Sequence, residues 1–218
     1  MLRNKAAIVT GSTSGIGLGI ARALAAEGAD LVLNGCGDPV QIETRRAAIA
    51  SECGVDMRYH KADMAVIAQV RELVAHSAAT MGSVDILVNN AGIKHTAPVE
   101  EFPDHKSDAI VAINLSSNFH AIKAALPYMR MQGAGRIVNI ASVHGLLAST
   151  MKCAYVAAKH GVLGLTKAIA LATAGSGITC NAVGPGWART PGVVFLCSDA
   201  ASRISGSSMT VDGGWTAQ

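Results

Sequence analysis

Short β-branched runs that end in Gly, Asn or Asp alternate along the chain with longer Ala-rich segments of helical period. The runs fall at 6–10, 30–34, 85–89, 136–141, 178–183 and 209–212, with 55–60 a weaker candidate. Each is continuously apolar instead of alternating, which predicts strands covered on both faces, as in a parallel sheet. Helical periodicity predicts helices near 16–27, 39–52, 64–81, 106–131 and 152–173. Strand–helix alternation of this kind predicts a doubly wound α/β domain in three layers, α/β/α. No repeat, linker or low-complexity stretch interrupts it, so residues 1–218 read as one domain.

Composition narrows the function classes. The chain has 218 residues, 50% hydrophobic and 15% charged, with 18 Lys+Arg against 15 Asp+Glu. That length suits one large domain, able to bury roughly 70% of its unfolded surface without a disulfide or metal staple. The charged fraction lies below the usual ~25%, which excludes a disordered chain. A net charge of +3, no basic block longer than Arg45-Arg46, and only 2 Trp, 3 Tyr and 3 Phe exclude a nucleic-acid partner. No apolar run approaches the ~18 residues of a membrane span, and the greasiest, Gly161 to Ala174, is interrupted by Lys167. The opening apolar run is too short for a secretion signal. Cys36, Cys53, Cys153, Cys180 and Cys197 include no C-x-x-C pair and read as reduced thiols of a cytoplasmic protein.

The first strand runs into T-G-S-T-S-G-I-G, Thr10 to Gly17, and a helix opens at once. Gly11 allows the tight turn, Gly15 the approach of a pyrophosphate, and Gly17 close packing of helix and strand. The helix N-terminus offers unpaired N–H groups and a partial positive charge to phosphates. This placement predicts a dinucleotide site. NADP would call for Arg or Lys near the end of the second strand. The chain has Asn34-Gly35-Cys36-Gly37-Asp38 there and no cation until Arg45, so NAD is favoured, with Asp38 or the Asn34 amide serving ribose hydroxyls.

The fifth apolar run ends at Ser142, and Y-V-A-A-K follows, placing Tyr155 and Lys159 four apart on one helical face. A tyrosine hydroxyl is a poor base at neutral pH unless about 3–4 kcal/mol favours its phenolate. A lysine ammonium ~4 Å away supplies about that much at an effective dielectric near 20. Tyr155 therefore reads as a general acid/base, with Ser142 at a strand's carboxyl end donating to the substrate oxygen.

With these motifs the chain resembles the short-chain dehydrogenase/reductase family, whose fold is Rossmann-type. The set recurs in order over essentially the whole chain: the phosphate loop, Asp63-Met64, N-N-A-G at Asn89 to Gly92, Asn114, Ser142, Y-V-A-A-K, and P-G-W at Pro185 to Trp187. The resemblance implies that Thr13, Ser14, Ile16, Ala91 and Gly92 contribute to the cofactor site alongside the loop glycines. It implies that Asp63 binds the adenine amino group, Asn90 braces the adenine side, and Asn114 continues a proton relay through water and Lys159. Lys159 also holds the nicotinamide ribose, while Pro185, Gly186 and Thr190 line the nicotinamide. A homotetramer, with helices near 106–131 and 152–173 at one interface, is implied as well.

Within the family the likeness is to members that interconvert D-3-hydroxybutyrate and acetoacetate. A small hydroxy acid needs a cation or donors for its carboxylate. Lys152 shares the helical face of Tyr155 and Lys159, and with His144 it forms a candidate carboxylate clamp, Trp187 walling the apolar end. His60, His76, His95, His105, His120 and His160 show no ligand spacing; they are assigned to surfaces, and no metal is expected. Two rivals share the scaffold: a 3-oxoacyl thioester reductase using NADPH, and a non-catalytic NAD-binding sensor or scaffold.

Three departures from the family pattern stand out. Lys94 replaces a neutral amide after N-N-A-G-I, either as a second cation for the carboxylate or as a side chain turned to solvent. Gly184 replaces a cysteine before P-G-W, which is expected to loosen the loop backbone. After W-A-R-T-P (187–191) the family carries a helical excursion of a few dozen residues that closes over the substrate. Here Pro191 is followed directly by G-V-V-F-L-C-S-D. Either this lid is deleted or the sequence as given omits it; the second is favoured because the flanking pieces belong to separated places in the fold. It predicts a Cα gap beyond ~3.8 Å near 190–192.

Overall fold

A computed structural model describes residues 2–185, 191–214 and 216. Seven strands form one parallel sheet: β1 (Ala6–Val9), β2 (Asp30–Asn34), β3 (Met57–His60), β4 (Ile86–Asn89), β5 (Gly135–Ile140), β6 (Ile178–Pro185) and β7 (Ser208–Val211), in the spatial order β3-β2-β1-β4-β5-β6-β7. β1 and β4 are buried along their whole length, as their unbroken apolar runs require. Ile8 of β1 stands in register with Val32 on one side and Leu87 on the other. Strand order reverses between β1 and β4, and the crevice outside their carboxyl ends is where an open α/β sheet takes a ligand. The weak 55–60 candidate is a true edge strand.

The helices divide between two faces. α1 (Gly15–Ala26), α2 (Pro39–Cys53) and α7 (Pro191–Cys197) pack through Ile20, Leu24, Ile49 and Leu196 into one apolar cluster. α3 (Ile67–Met81), α5 (Ser117–Gln132) and α6 (Cys153–Ala172) fill the other through Leu73, Val74, Ile122, Met129 and Ala170. Local signals set the ends of α2: the Asp38 carboxylate accepts from Gln41 N–H at 3.0 Å, Pro39 opens the first turn, and Gly54 closes it at φ 67°.

The single helix expected over 106–131 is corrected to two. α4 (Asp104–Val111) passes into a π-helical turn, Ala112–Ser116, before α5 begins. Such a turn inserts a residue and marks functional positions in helices; Asn114 sits at its centre. Gly184 is also corrected: it lies inside β6, paired with Thr210, where an added Cβ would come within 3.3 Å of the Ser142 carbonyl. Its small size lets β6 run against the Ser142 backbone. Gly186, Trp187 and Thr190 lie outside the described residues, and so does the gap expected at 190–192.

Asn34 ties the first three strands together. Fully buried, its side-chain oxygen accepts from Gly11 N–H at 3.3 Å and its amide donates to the His60 and Ala62 carbonyls at 3.2 and 3.0 Å. Asn34→Ala strands these buried backbone groups and is expected to cost about 2–4 kcal/mol. Urea unfolding should show a lower midpoint at an unchanged m-value; an unchanged midpoint would show that this crosslink carries no stability.

Candidate active site

The Thr10–Gly17 loop is held open by its neighbours. Thr10 Oγ1 accepts from the Asn90 and Ala91 N–H groups at 2.9 and 3.0 Å, and the Asn90 side-chain amide donates to the Thr10 and Gly11 carbonyls at 2.9 and 3.0 Å. Ser12 Oγ donates to the Val9 carbonyl at 2.7 Å. Gly11 and Gly15 adopt φ 61° and 56°, and a Cβ on Gly17 would collide with the Gly11 carbonyl and the Asn90 amide. Ser14 makes no side-chain cap on α1, so the helix presents bare N–H groups to the crevice.

That crevice is a cavity of about 450 Å³. Gly11, Thr13, Ser14, Ile16 and Gly17 line it from the loop, Asp63 with Ala62 and Met64 from the end of β3, and Asn90, Ala91 and Gly92 from the end of β4. A glycine-lined backbone, an uncapped helix N-terminus and a carboxylate at the far end fit a dinucleotide's pyrophosphate and adenosine. The Asp63 carboxylate accepts from Ala65 N–H at 2.9 Å and is otherwise exposed. Asn90 acts through the loop: both its amide hydrogen bonds go to loop carbonyls. The ribose contact through the Asn34 amide is corrected, because that amide is consumed inside the fold, while the exposed Asp38 carboxylate caps α2 through Oδ1 alone. Arg45, eleven positions beyond the end of β2, folds back so that its guanidinium donates to the Thr13 carbonyl at 2.8 Å. Sequence distance hid this cation, and Gly35 and Cys36 of the same rim were also missed as site residues.

A second cavity, of about 570 Å³, shares Ile16, Asn90, Gly92 and Ile93 with the first. It brings Lys94, Ser142, His144, Lys152, Tyr155, Lys159 and Pro185 together from four separated segments. Ser142, at the end of β5, accepts from His144 N–H at 3.2 Å; its own proton has no protein acceptor among the described residues and is available to a ligand. The Lys159 ammonium faces the Tyr155 ring 5.7 Å from its centroid and donates to the Ile140 carbonyl at 2.6 Å. The ammonium is thus braced on β5 beside the phenol ring.

Burial and then the charge of Lys152 hold His144 below the usual imidazole range, against a backbone hydrogen bond at Leu147. The neutral form of His144 is favoured at pH 7, and the cations lining this cavity are Lys94, Lys152 and Lys159. Met151, one residue before Lys152, takes φ 61°, and its carbonyl accepts from Ala97 N–H at 3.0 Å, tying the Lys94 loop to the start of α6. A non-glycine residue in that region costs of order 1 kcal/mol and persists where its surroundings demand it.

Asn114 does not line either cavity. Its fully buried amide accepts from Ile93 N–H at 2.8 Å and donates to the Ile93 carbonyl at 2.9 Å, clamping the segment that carries Gly92 and Lys94. The side chain thus positions the wall. The surface assignment of the other histidines is corrected for four. His60 and His76 are half-buried with ring centroids 4.9 Å apart, and His95 and His120 are half-buried too.

Burial pushes Lys159 down from 10.5 to about 8. The folded value lies below the unfolded one, so the cost of holding the ammonium is present in full below pH 8 and disappears as pH rises towards 10.5. The unmodified chain should gain on the order of 3 kcal/mol over that interval relative to Lys159→Met. Denaturant unfolding of both proteins at pH 7.5 and 10 checks this, and parallel pH dependence would show that the lysine is not desolvated.

A model of the short chain dehydrogenase family matches residues 5–199. The chain is 44% identical to the D-beta-hydroxybutyrate dehydrogenase of Cupriavidus necator, with 100% of both chains covered, and 43% identical to that of Rhizobium meliloti, with 98% and 99% covered. The crystal structure of levodione reductase superposes with a TM-score of 0.93 at 32% identity, covering 100% of this chain and 99% of that one. The C. necator comparison runs over 261 positions against the 218 residues here, so at least 43 of those positions (261 less 218) have no counterpart in this chain.

Proposed function

The chain belongs to the short-chain dehydrogenase family, and on that premise we propose that it interconverts D-3-hydroxybutyrate and acetoacetate with NAD. The observation that carries this reading is the convergence of two lysines, Lys94 and Lys152, on the cavity that also holds Ser142 and Tyr155. A small hydroxy acid places its carboxylate against those cations and its hydroxyl between Ser142 and Tyr155. The names of the two curated relatives agree with it.

Bound NAD supplies the hydride acceptor. The remaining work falls to this chain's side chains. Tyr155, as phenolate, takes the hydroxyl proton as the C–H hydride leaves the same carbon. Ser142 donates to the oxygen as it becomes a carbonyl. The Lys159 ammonium, braced on Ile140, supplies the positive charge facing the phenol ring. His144, neutral, offers a hydrogen bond beside Lys152. In the reverse direction Tyr155 returns the proton to acetoacetate. Nothing uncharged would require two cations here, which disfavours a thioester as the substrate.

The compartment proposed is the cytoplasm; among the described residues no helix is long and apolar enough to cross a membrane. The assembly proposed is a homotetramer. An apolar groove of about 380 Å³ between α5 and α6, lined by Phe119, Ile122, Leu126 and Ile169, is the surface offered to a second copy. The positions present in the C. necator relative and lacking here are assigned to the helical excursion expected after 187–191.

NADH formation, followed at 340 nm with D- and L-3-hydroxybutyrate, tests the reading. Turnover should be selective for the D enantiomer and fall at least about 100-fold in Tyr155→Phe. Lys152→Gln should raise KM about tenfold or more while changing kcat less, as loss of uniform carboxylate binding requires. Binding of NAD without turnover of either enantiomer would favour the sensor reading instead.

A further inference from the structure

We propose that the edge of the sheet opposite the Tyr155 cavity carries a separate ligand site, one for a phosphorylated small molecule held between Lys167 and Arg203.

β6 runs from one place to the other. Pro185, its last residue, lines the Tyr155 cavity, while Ile178 and Thr179 at its start line a further cavity of about 620 Å³. At the rise of a strand, Thr179 and Pro185 stand about 20 Å apart. Lys167 and Leu171, one turn apart on α6, form one wall of this cavity. Arg203, from the segment between Ala201 and β7, forms another.

The charge here is uncompensated. No carboxylate lines the cavity, and among the described residues neither Lys167 nor Arg203 has an ion pair or a side-chain hydrogen bond. The acidic residue nearest to Arg203 in sequence, Asp199, pairs with Arg136 at 3.4 Å.

The second observation concerns Thr179. Five threonines are buried among the described residues. Thr10, Thr13, Thr166 and Thr173 each donate the hydroxyl to a backbone carbonyl. Thr179, 4% exposed, does not, and its Oγ1 has no hydrogen-bond partner. A sealed, unpaired hydroxyl destabilises a fold and is kept where something else uses it. Thr179 lines the cavity of the two cations, so a ligand bound there receives its proton.

Two cations with a hydroxyl donor match a phosphate monoester, which carries close to two negative charges at pH 7 on three acceptor oxygens. The Arg203 fork and the Lys167 point charge can both engage those oxygens, whereas one carboxylate would leave a cation unmatched. Leu171, 80% exposed on the Lys167 wall, offers apolar surface to the organic group of the ester.

Calorimetric titration of the full chain with phenyl phosphate and with inorganic phosphate, at low ionic strength, tests the proposal. Phenyl phosphate should bind at least about threefold more tightly than inorganic phosphate. The double change Lys167→Gln, Arg203→Gln should weaken it at least tenfold, and Thr179→Val, which keeps the charge, about tenfold. Binding at the Thr10–Gly17 loop is common to all three proteins, so the differences report this site. Without ligand, Thr179→Val should unfold in urea at an equal or higher midpoint, because valine removes an unpaired hydroxyl. Equal affinity of the unmodified chain and either variant overturns the proposal, as does inorganic phosphate binding as tightly as phenyl phosphate. A lower urea midpoint for Thr179→Val overturns it too, because the hydroxyl then serves the fold.

Discussion

The close approach of bare backbone at the first turn is the constraint on which the rest of the molecule depends. Thr10, Gly11 and Gly17 come so near Asn90 that there is no space for a Cβ on Gly17. The loop stays in this shape because hydrogen bonds reach it from β2, through Asn34, and from the end of β4, through Asn90 and Ala91. A parallel sheet makes this possible by bringing strand ends far apart in sequence to one edge, where their unpaired polar groups satisfy one another. The same crosslinks that stabilise the sheet therefore also keep the α1 N-terminus clear for phosphate.

The second half of the crevice is governed by charge. Lys94, Lys152 and Lys159 all face one cavity, and only Lys159 is buried. Its ammonium survives at neutral pH because the Ile140 carbonyl receives it and because burial lowers it only to about 8. Burial, with the repulsion of Lys152 added to it, keeps the His144 ring below the usual imidazole range. The result is a graded site, with a fixed cation deep beside the phenol and solvated cations at the mouth for a ligand's carboxylate.

Positioning residues do as much as contact residues. Asn114 sits in a π-helical turn and clamps Ile93, which fixes the wall bearing Lys94. Met151 accepts a strained backbone so that its carbonyl can hold Ala97. Gly184 lets β6 lie against Ser142. None of these three touches the cavity's contents through its side chain, yet each sets where a cavity-lining group stands.

Local pattern was enough for the strands, for most helix limits and for the turn of the Gly-rich loop, and it put Ser142, Tyr155 and Lys159 within reach of one cavity. Each of these depends on periodicity or on spacing within one element, which the chain encodes residue by residue. The π-helical turn was not legible, because one inserted residue shifts the phase of the hydrophobic pattern yet leaves its period the same on either side. The place of Asn34 after β2 invites a ribose contact; only tertiary hydrogen bonding shows that its amide is spent on Gly11, His60 and Ala62. Arg45 lies far along the chain from the phosphate loop, yet a helix that folds back brings its guanidinium to Thr13. What the sequence determined by itself was the kind of fold and the chemistry available at the strand ends. Which polar side chains remain free for a ligand was decided by the tertiary structure, because a buried donor or acceptor first satisfies whatever backbone the fold places beside it.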